Sequence, residues 1–448
     1  MSYPILKFIS VLILILLVNA APVWGASSLD IFTRDAAMSA ALRQQEMSLT
    51  LAQSEALQGV EAKQPFPQGE SIPKDEPGDS GGDLKAFLTQ VKVHPYLTTK
   101  FSFDDNIFLL AEGGESDTVN YTKPGLKFIW GEVGKTRNNR IEVDAGMRAV
   151  SFFNHSSLNR NLPDMKLAAQ FGRGSNKLSF SQNFRKDYNV RSNLNIGTTG
   201  LADYDQQKTK IDYEYGQKHF GLGLGYDRNE YTYAGQYRSV SSYNEQVGGL
   251  TLFVSPTEKT RFFVEGDYGG VRYFKFGNPV NDSTYFKGFI GINGKITEKT
   301  TGVIKAGHQM REFMNKDIDD LDNFAAELNL ENQFSPRTAF LLKASRGSLT
   351  DTFVGDGTAV QTDFYLGMRH AFTPRLGLNL GYAYAMDRYY VSGKFMETFT
   401  GTVDLRYNFR RWLNFGLGYL YKDRNSKKYS SSGEYLDNIF SIDAGVTF

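Results

Sequence analysis

The chain has 448 residues, and its 50 Lys and Arg residues balance 49 Asp and Glu residues, leaving a formal charge of +1. This balance excludes nucleic-acid binding through bulk charge. The absence of cysteine excludes thiol catalysis, cysteine-ligated metals and disulfides, and five histidines argue against a His-rich metal site. Aromatic residues reach 14% and glycine numbers 44, which is typical of many β-strands with aromatic girdles.

The first 25 residues have the pattern of a secretory signal peptide. Lys7 precedes an apolar run from Phe8 to Val18, and small residues follow up to Gly25. The run is shorter than the roughly 20 residues that a membrane-spanning helix needs. We therefore predict a signal peptide at residues 1–25 and an exported chain, with an uncleaved anchor helix as the alternative.

Two segments of different composition follow the signal. Residues 26–61 are rich in Ala, Leu, Gln and Glu and show weak helical periodicity. Residues 62–92 contain four prolines and four glycines, which is typical of a linker. The sequence predicts a short periplasmic N-terminal segment, helical or disordered, followed by a Pro/Gly-rich linker and lead-in.

From residue 93 to residue 448 apolar and polar residues alternate over long runs. At the C-terminus, Phe440, Ile442, Ala444, Val446 and Phe448 alternate with polar or small residues. A period of two over nine or more residues indicates long strands with one apolar and one polar face. This last run also resembles the assembly signal of bacterial outer-membrane barrels.

Short polar turns recur through this region at a nearly constant interval. Turns near Ser255, Ile296, Ser335 and Thr373 are separated by 41, 39 and 38 residues, and longer polar loops lie midway between them. A hairpin of about 39 residues repeated over residues 93–448 gives about nine hairpins, or about 18 strands.

The strand pattern predicts an all-β fold, a transmembrane antiparallel up-and-down β-barrel of about 18 strands (16–18). A tilted membrane-crossing strand needs about 9 to 11 residues, and a sheet in lipid must close to pair its backbone groups. A soluble propeller and a periplasmic sandwich are the alternatives, but neither accounts for unbroken alternation of this length.

The polar faces of these strands carry charges of both signs, and in a barrel they face the lumen. One interpretation is structural, with charges that pair across strands; the other is a polar conduit without single-sign selectivity. The predicted pore-lining residues are Glu142, Asp144, Arg148, Asp212, Glu214, Asp227, Glu265, Asp267, Lys287, Lys305, Glu327, Glu331, Arg369, Asp387, Asp404, Arg406 and Asp443.

Two acidic strings raise the question of a cation site. Phe103-Asp104-Asp105-Asn106-Ile107-Phe108 ends the first strand, and Asp437-Asn438-Ile439-Phe440 opens the last, so both meet at the seam of a closed barrel. Turn-forming caps are one interpretation and an oxygen-rich Ca²⁺ site is the other. A loop with Asp317, Asp319, Asp320 and Asp322 is a weaker Ca²⁺ candidate, since it lacks the EF-hand glycine and glutamate.

The sequence indicates no enzyme, no catalytic residue and no cofactor. It has no phosphate-binding loop, so transport through the barrel would be passive. Tyrosines crowd the long loops and strand tops, including Tyr231, Tyr233, Tyr389 and Tyr435. They form either an interfacial girdle or a platform on which sugar rings stack.

The strings from Val93-His94-Pro95-Tyr96-Leu97 to Phe103-Asp104-Asp105-Asn106-Ile107-Phe108 resemble the opening of the putative β-barrel porin 2 family. The resemblance implies an outer-membrane pore of about 18 strands that exports exopolysaccharide, in a Gram-negative bacterium. The partners it implies are outer-membrane lipids, lipopolysaccharide, the barrel-assembly machinery and periplasmic polysaccharide-export proteins, without nucleic acid. A structural or adhesive barrel with a plugged lumen is the alternative function.

Overall fold

The structure is a computed structural model of the chain. It describes the part of the chain that carries the predicted strands, with short gaps at some connections. The described ranges are 91–133, 138–173, 175–190, 200–217, 219–235, 242–257, 259–274, 282–350, 358–390, 393–427 and 433–448. The predicted signal peptide, the helical segment and nearly all of the predicted linker lie outside them.

Eighteen strands of 13 to 17 residues form a single sheet in chain order. Their bounds are β1 Lys92–Asp104, β2 Asp117–Val133, β3 Asn138–Phe152, β4 Arg160–Arg173, β5 Asn176–Val190, β6 Leu201–Gly216, β7 Phe220–Tyr233, β8 Tyr243–Thr257, β9 Thr260–Tyr273, β10 Ser283–Lys295, β11 Thr300–Phe313, β12 Leu321–Ser335, β13 Thr338–Thr350, β14 Thr358–Ala371, β15 Leu376–Tyr389, β16 Phe395–Arg410, β17 Leu413–Lys427 and β18 Tyr435–Thr447.

The sheet closes on itself. Each strand pairs antiparallel with the next, and β1 also pairs with β18 over a register that runs from Tyr96 opposite Thr447 to Asp104 opposite Ile439. Closure leaves no sheet edge, which a barrel in lipid requires. The predicted 18-stranded antiparallel barrel is therefore confirmed. Within the described ranges, no helix is long and apolar enough to cross a membrane.

The two ends of the barrel differ in their connections. At one end, which we call the short-turn end, two to four residues join consecutive strands, and β1 begins and β18 ends there. At the other end, the long-loop end, the connections have five to twelve residues. The loop between β3 and β4 contains a single helical turn, Ser156–Leu158. Short turns on one side and longer loops on the other are typical of outer-membrane barrels.

The two faces of the sheet follow from the alternation in the sequence. On β18, Phe440 and Ile442 are exposed on the outer face, whereas Ser441 and Asp443 face the interior. The outer face carries large exposed apolar side chains around the whole barrel. An apolar outer band of this kind is the surface that lipid chains cover.

Candidate functional site

The interior face of the barrel is the candidate site. Every side chain predicted to line a pore, from Glu142 on β3 to Asp443 on β18, lies on the face opposite the exposed apolar residues. This placement follows from the period of two, because a residue and its cross-strand partner share a face. That they line an open conduit stays a prediction.

Lys305 is the centre of one interior charge network. Its Nζ lies 2.8 Å from Glu265 Oε1 and 3.2 Å from Glu327 Oε2. Glu265 is on β9 and Lys305 on β11, so this bridge passes over the intervening strand β10. One lysine thus compensates two carboxylates that the sequence placed on the same face.

Two other ion pairs between predicted pore-lining residues span alternate strands in the same way. Arg369 on β14 pairs with Glu331 on β12, and Arg406 on β16 pairs with Asp443 on β18. A Cβ at Gly416, on β17 between the last two, would lie 2.3 Å from Asp443 Oδ2. Glycine therefore gives the ion pair the room to cross.

Most of the other predicted residues pair with side chains that sequence reasoning missed. The pairs are Glu142 with Lys127 and Arg140, Asp144 with Tyr96, Arg148 with Asp187, Asp212 with Lys210, Glu214 with Arg261, Asp227 with Lys208, and Asp387 with Gln361. Asp267 on β9 and Lys287 on β10 are register partners on the same face.

A repeat-length spacing could have identified several of these partners. Arg148 and Asp187 are 39 positions apart, and Tyr285 and Glu245 are 40 apart. Since one hairpin takes about 39 residues, this separation returns a side chain to the same height two strands away. An interior bridge is therefore predicted where a carboxylate and a cationic or hydroxyl side chain have this spacing and both lie on the polar faces of their strands.

Glycines on the strand between make these bridges possible. Tyr285 on β10 reaches over β9 and donates its hydroxyl to Glu245 Oε1 on β8, at 2.7 Å. A Cβ at Gly269, its register partner on β9, would lie 2.4 Å from Tyr285 Cζ. Likewise, Tyr96 reaches Asp144 over Gly125, where a Cβ would lie 2.2 Å from Tyr96 Cζ.

Burial separates the two halves of the interior. At the long-loop end, inward side chains such as Tyr233 and Arg311 are each 1% exposed. Near the short-turn end, the side chains of Glu214 and Asp212 are 38% and 45% exposed. The interior is therefore packed toward the long loops and accessible toward the short turns on β6, although Glu142 and Lys127 near the same end are largely buried.

The β1–β2 loop supplies part of this packing. Its residues Ile107 and Phe108 are buried against interior residues of β2, β3 and β4, including Val119, Val150 and Leu162. These strands thus carry apolar residues on their interior face where the loop covers them. The loop, which contains the end of the family-like string, fills space inside the barrel mouth.

Hydrogen bonds at the seam hold this loop in place. Asp105 accepts hydrogen bonds from the backbone N and the side-chain Nδ2 of Asn438, at 2.7 and 2.8 Å. Asn106 Nδ2 donates to the carbonyls of Leu110 and Leu436, each at 2.8 Å, and its Oδ1 accepts from Leu110 N. The two acidic strings do meet, and they join the first and last strands.

The seam also brings three carboxylates together. Oxygens of Asp104, Asp105 and Asp437 lie within 4.8 Å of one another. Lys422 is the register partner of Asp437, so the chain itself places positive charge beside the group. Asp105 is already bonded to Asn438. These contacts fit the structural interpretation of the string.

The acidic β11–β12 loop does not gather into a comparable group. Among the described residues, Asp104, Asp105 and Asp437 are the carboxylates close enough to hold an ion, and Asp317, Asp319, Asp320 and Asp322 are not. Asp320 accepts a hydrogen bond from Phe313 N, while Asp322 pairs with His308 at 2.6 Å. Asp320 and Asp322 therefore make separate contacts and do not share a site.

A histidine joins the β3–β4 loop to the start of β2. His155 Nδ1 lies 2.9 Å from Asp117 Oδ2, its Nε2 lies 2.9 Å from Glu115 Oε2, and its ring meets Phe108 edge-on. The hydrogen bonds to Asp117 and then to Glu115 raise the pKa of His155 above its usual value. A protonated imidazole donates to both carboxylates, so protonation ties the two loops together.

The tyrosines at the long-loop end face inward. Tyr231 and Tyr243 stack with ring centres 5.0 Å apart, and Tyr204 and Tyr233 are in contact at 5.1 Å. They therefore do not belong to an outward girdle. All but Tyr231 are buried, so they build the packed mouth and do not present rings for stacking.

Comparisons with solved structures return barrels at low identity. OccAB3 of Acinetobacter baumannii is 12% identical, with a TM-score of 0.47, covering 80% of this chain and 99% of that one. OccK2 (OpdF) of Pseudomonas aeruginosa in complex with glucuronate is 10% identical, with a TM-score of 0.46, covering 81% and 99%. The loop-deleted OmpT of Vibrio cholerae is 13% identical, with a TM-score of 0.34, covering 80% and 100%.

No curated protein matches the chain. A family model described as "Putative beta-barrel porin 2" matches residues 91–448. This range begins one residue before β1 and covers the whole barrel. The chain therefore belongs to the "Putative beta-barrel porin 2" family, and it is an outer-membrane β-barrel.

Proposed function

We propose that the barrel lets a hydrophilic polymer, secreted exopolysaccharide, pass the outer membrane of a Gram-negative bacterium. The observation that carries the proposal is the contrast between the two faces of one closed sheet. Lys305, Glu265 and Glu327 face the interior, while exposed residues such as Ile290 face outward. A charged wall inside an apolar shell suits a water-filled passage.

The balance of interior charge bears on the chemistry of the polymer. Lys305 is shared between two carboxylates, and Arg369 and Arg406 each pair with one. Paired charges leave hydrogen-bonding capacity with little net field along the wall. This arrangement suits a hydroxyl-rich chain better than a strongly charged one.

In this proposal the short-turn end faces the periplasm, because outer-membrane barrels carry their short turns there. The accessible half of the interior then opens to the periplasm, where the predicted N-terminal segment and linker also lie. Periplasmic export proteins deliver the polymer to that half, the barrel-assembly machinery inserts the chain, and lipopolysaccharide surrounds it outside. Passage is passive and uses no cofactor.

The second candidate function is a structural or adhesive barrel with a closed lumen. The buried mouth favours it, since Ile107 and Phe108 fill space inside the long-loop end. The two candidates differ in one measurable property, which is whether ions and solutes cross the barrel.

Single-channel conductance in planar bilayers tests the proposal. The chain without residues 1–25 is compared with a shorter chain that starts at Leu84. We expect a conductance on the nanosiemens scale, followed by passage of neutral oligosaccharides into liposomes. Conductance only in the shorter chain would make the N-terminal segment a plug. Folded but silent barrels in both cases would move the function to the closed candidate.

A further inference from the structure

One sector of the outer face departs from the apolar pattern. On β5 to β8, most residues of outward parity in the half of each strand nearer the long loops are polar or charged, although Phe184 lies among them on β5. The polar or charged residues are Gln182, Lys186, Asp205, Gln207, Thr209, Arg228, Glu230, Asn244 and Gln246. We call this surface the polar sector. Its residues are neighbours across strands: Gln207 is the register partner of Glu230, and Glu230 is the register partner of Asn244.

The polar sector begins within the apolar band. A tilted strand rises about 2.5 Å per residue. Gln182 is six residues after Asn176, the first residue of β5, and therefore lies about 15 Å above the short turns. At the seam, exposed apolar side chains continue up to Phe103, which is eleven residues above Lys92. Gln182 is therefore at a height where most other outward residues are apolar, although Thr99, His308 and Arg346 face outward near the same height.

Contacts within the chain satisfy only part of this surface. Thr209 donates to Gln182 Oε1 at 2.5 Å, and Arg228 pairs with Glu230. Asn244 donates to Glu230 at 3.1 Å, and Gln246 donates to Asn244 at 3.2 Å. Arg228 Nε is nevertheless buried without a hydrogen-bond partner among the described residues. Gln207 is exposed, and its amide makes no hydrogen bond within the described part of the chain. Lipid chains can supply neither donors nor acceptors to these groups.

Another outward polar group shows what a self-sufficient arrangement looks like. Thr99 and Thr122 on β1 and β2 are 3.1 Å apart, Asn120 donates to Thr99 at 3.2 Å, and Thr122 donates to Asn120 at 2.9 Å. This group is uncharged, and its members hydrogen-bond one another. The polar sector instead carries both signs of charge and retains the unused amide of Gln207.

We propose that the polar sector is the interface through which two copies of this chain associate in the membrane. Its charges match those of a second copy, since Lys186 and Arg228 are balanced by Asp205 and Glu230. Amides are donors and acceptors at once, so Gln207 can pair with its own copy across a two-fold axis. Exposed Leu250 and Leu252, below the sector on β8, extend the contact with apolar area.

The test measures the mass of the full chain extracted from outer membranes in mild detergent. We expect two chains for the wild type, and about tenfold less of this species for Arg228→Leu/Glu230→Leu. The matched control Asn120→Leu/Thr122→Leu removes outward polar groups elsewhere and leaves the assembly unchanged. A wild-type mass of one chain, with or without bound lipopolysaccharide, overturns the proposal, as does an equal loss in both variants.

Cross-linking gives a second readout that does not depend on the stability of the double variant. Because the chain has no cysteine, Gln207→Cys introduces a single thiol. Oxidation of outer membranes should convert the Gln207→Cys variant to a disulfide-linked species of twice the chain mass. Leu417→Cys, exposed on β17, should remain monomeric. A cross-link to a protein of another mass, or equal behaviour of both thiols, overturns the assignment of a second copy.

Discussion

The two halves of the barrel interior share one sequence pattern but have different physical states. At the short-turn end, interior charges such as Glu214 and Arg261 pair at 3.0 Å and stay partly exposed. At the long-loop end, Arg311 is buried and donates to the hydroxyls of Ser283 and Thr350, each at 3.0 Å. The comparison teaches that alternation assigns a face, while the loops decide how much of that face meets water.

The mouth packing gives the largest expected effect. Phe108→Ala removes a buried side chain from the cluster with Val119 and Leu162. We expect the substitution to weaken the packing of the β1–β2 loop in the mouth by about 3 kcal/mol, so that the loop leaves the mouth more often. Single-channel recordings should then show a larger or more frequent open state. Phe153→Ala, at an exposed phenylalanine near the same mouth, is the control. Identical recordings from both variants would contradict a gating role for the loop.

The side-chain hydrogen bonds that cross a glycine on the intervening strand give the next largest effect, a loss of stability. Gly269→Val places a side chain where Tyr285 crosses to Glu245, so overpacking should lower the free energy of unfolding by about 2 kcal/mol. Urea unfolding in lipid vesicles measures it. Gly248→Val on β8 is the matched control, because no atom lies within 4 Å of a Cβ there. If both substitutions are equally tolerated, the bridge does not contribute to stability.

Charge compensation near the middle of the interior predicts a smaller change, in the ion selectivity of the barrel. Lys305→Met leaves Glu265 and Glu327 without their shared cation. If the lumen conducts, the ratio of K⁺ to Cl⁻ permeability should rise from near one by roughly two- to threefold. Reversal potentials in a KCl gradient measure this ratio. Arg346→Met, on the outer face, should leave it unchanged. An unchanged ratio in Lys305→Met would place the ion path away from this network.

The smallest effect concerns pH at the mouth. Because hydrogen bonds to Asp117 and Glu115 raise the pKa of His155, the folded state favours its protonated form. This contribution is complete below the ordinary histidine pKa of about 6.5 and is lost as pH rises through the raised value. A partly exposed ion pair of this kind contributes about 0.5 kcal/mol.

Hydrogen exchange of residues 105–116 checks this effect. The protection of the wild type relative to His155→Asn, compared at each pH, should fall as the pH rises through the raised pKa of His155. A ratio that does not change with pH would show that His155 does not hold the loop.

Much of the barrel was predictable because its determinants are local. Alternation assigned Asp443 and Phe440 to opposite faces, and the spacing of the short turns gave the number of strands. The partners of the predicted charges were harder to find, since Lys127 and Arg261 pair with carboxylates on other strands. Tyr231 and Tyr233 have the same parity as Asp227 on β7, so alternation already indicated that their rings face the interior; their burial depended on the packing of the mouth.

The sequence by itself determined the class of fold, the strand count, the two faces and the meeting of the Asp104-Asp105-Asn106 and Asp437-Asn438 strings. It could do so because a period of two and a repeat of about 39 residues are properties of the chain in order. Only the tertiary structure decided which charges pair across two strands, that Ile107 and Phe108 fill the mouth, and that the polar sector forms one surface. Those features depend on register and closure, which bring together residues that the sequence keeps far apart.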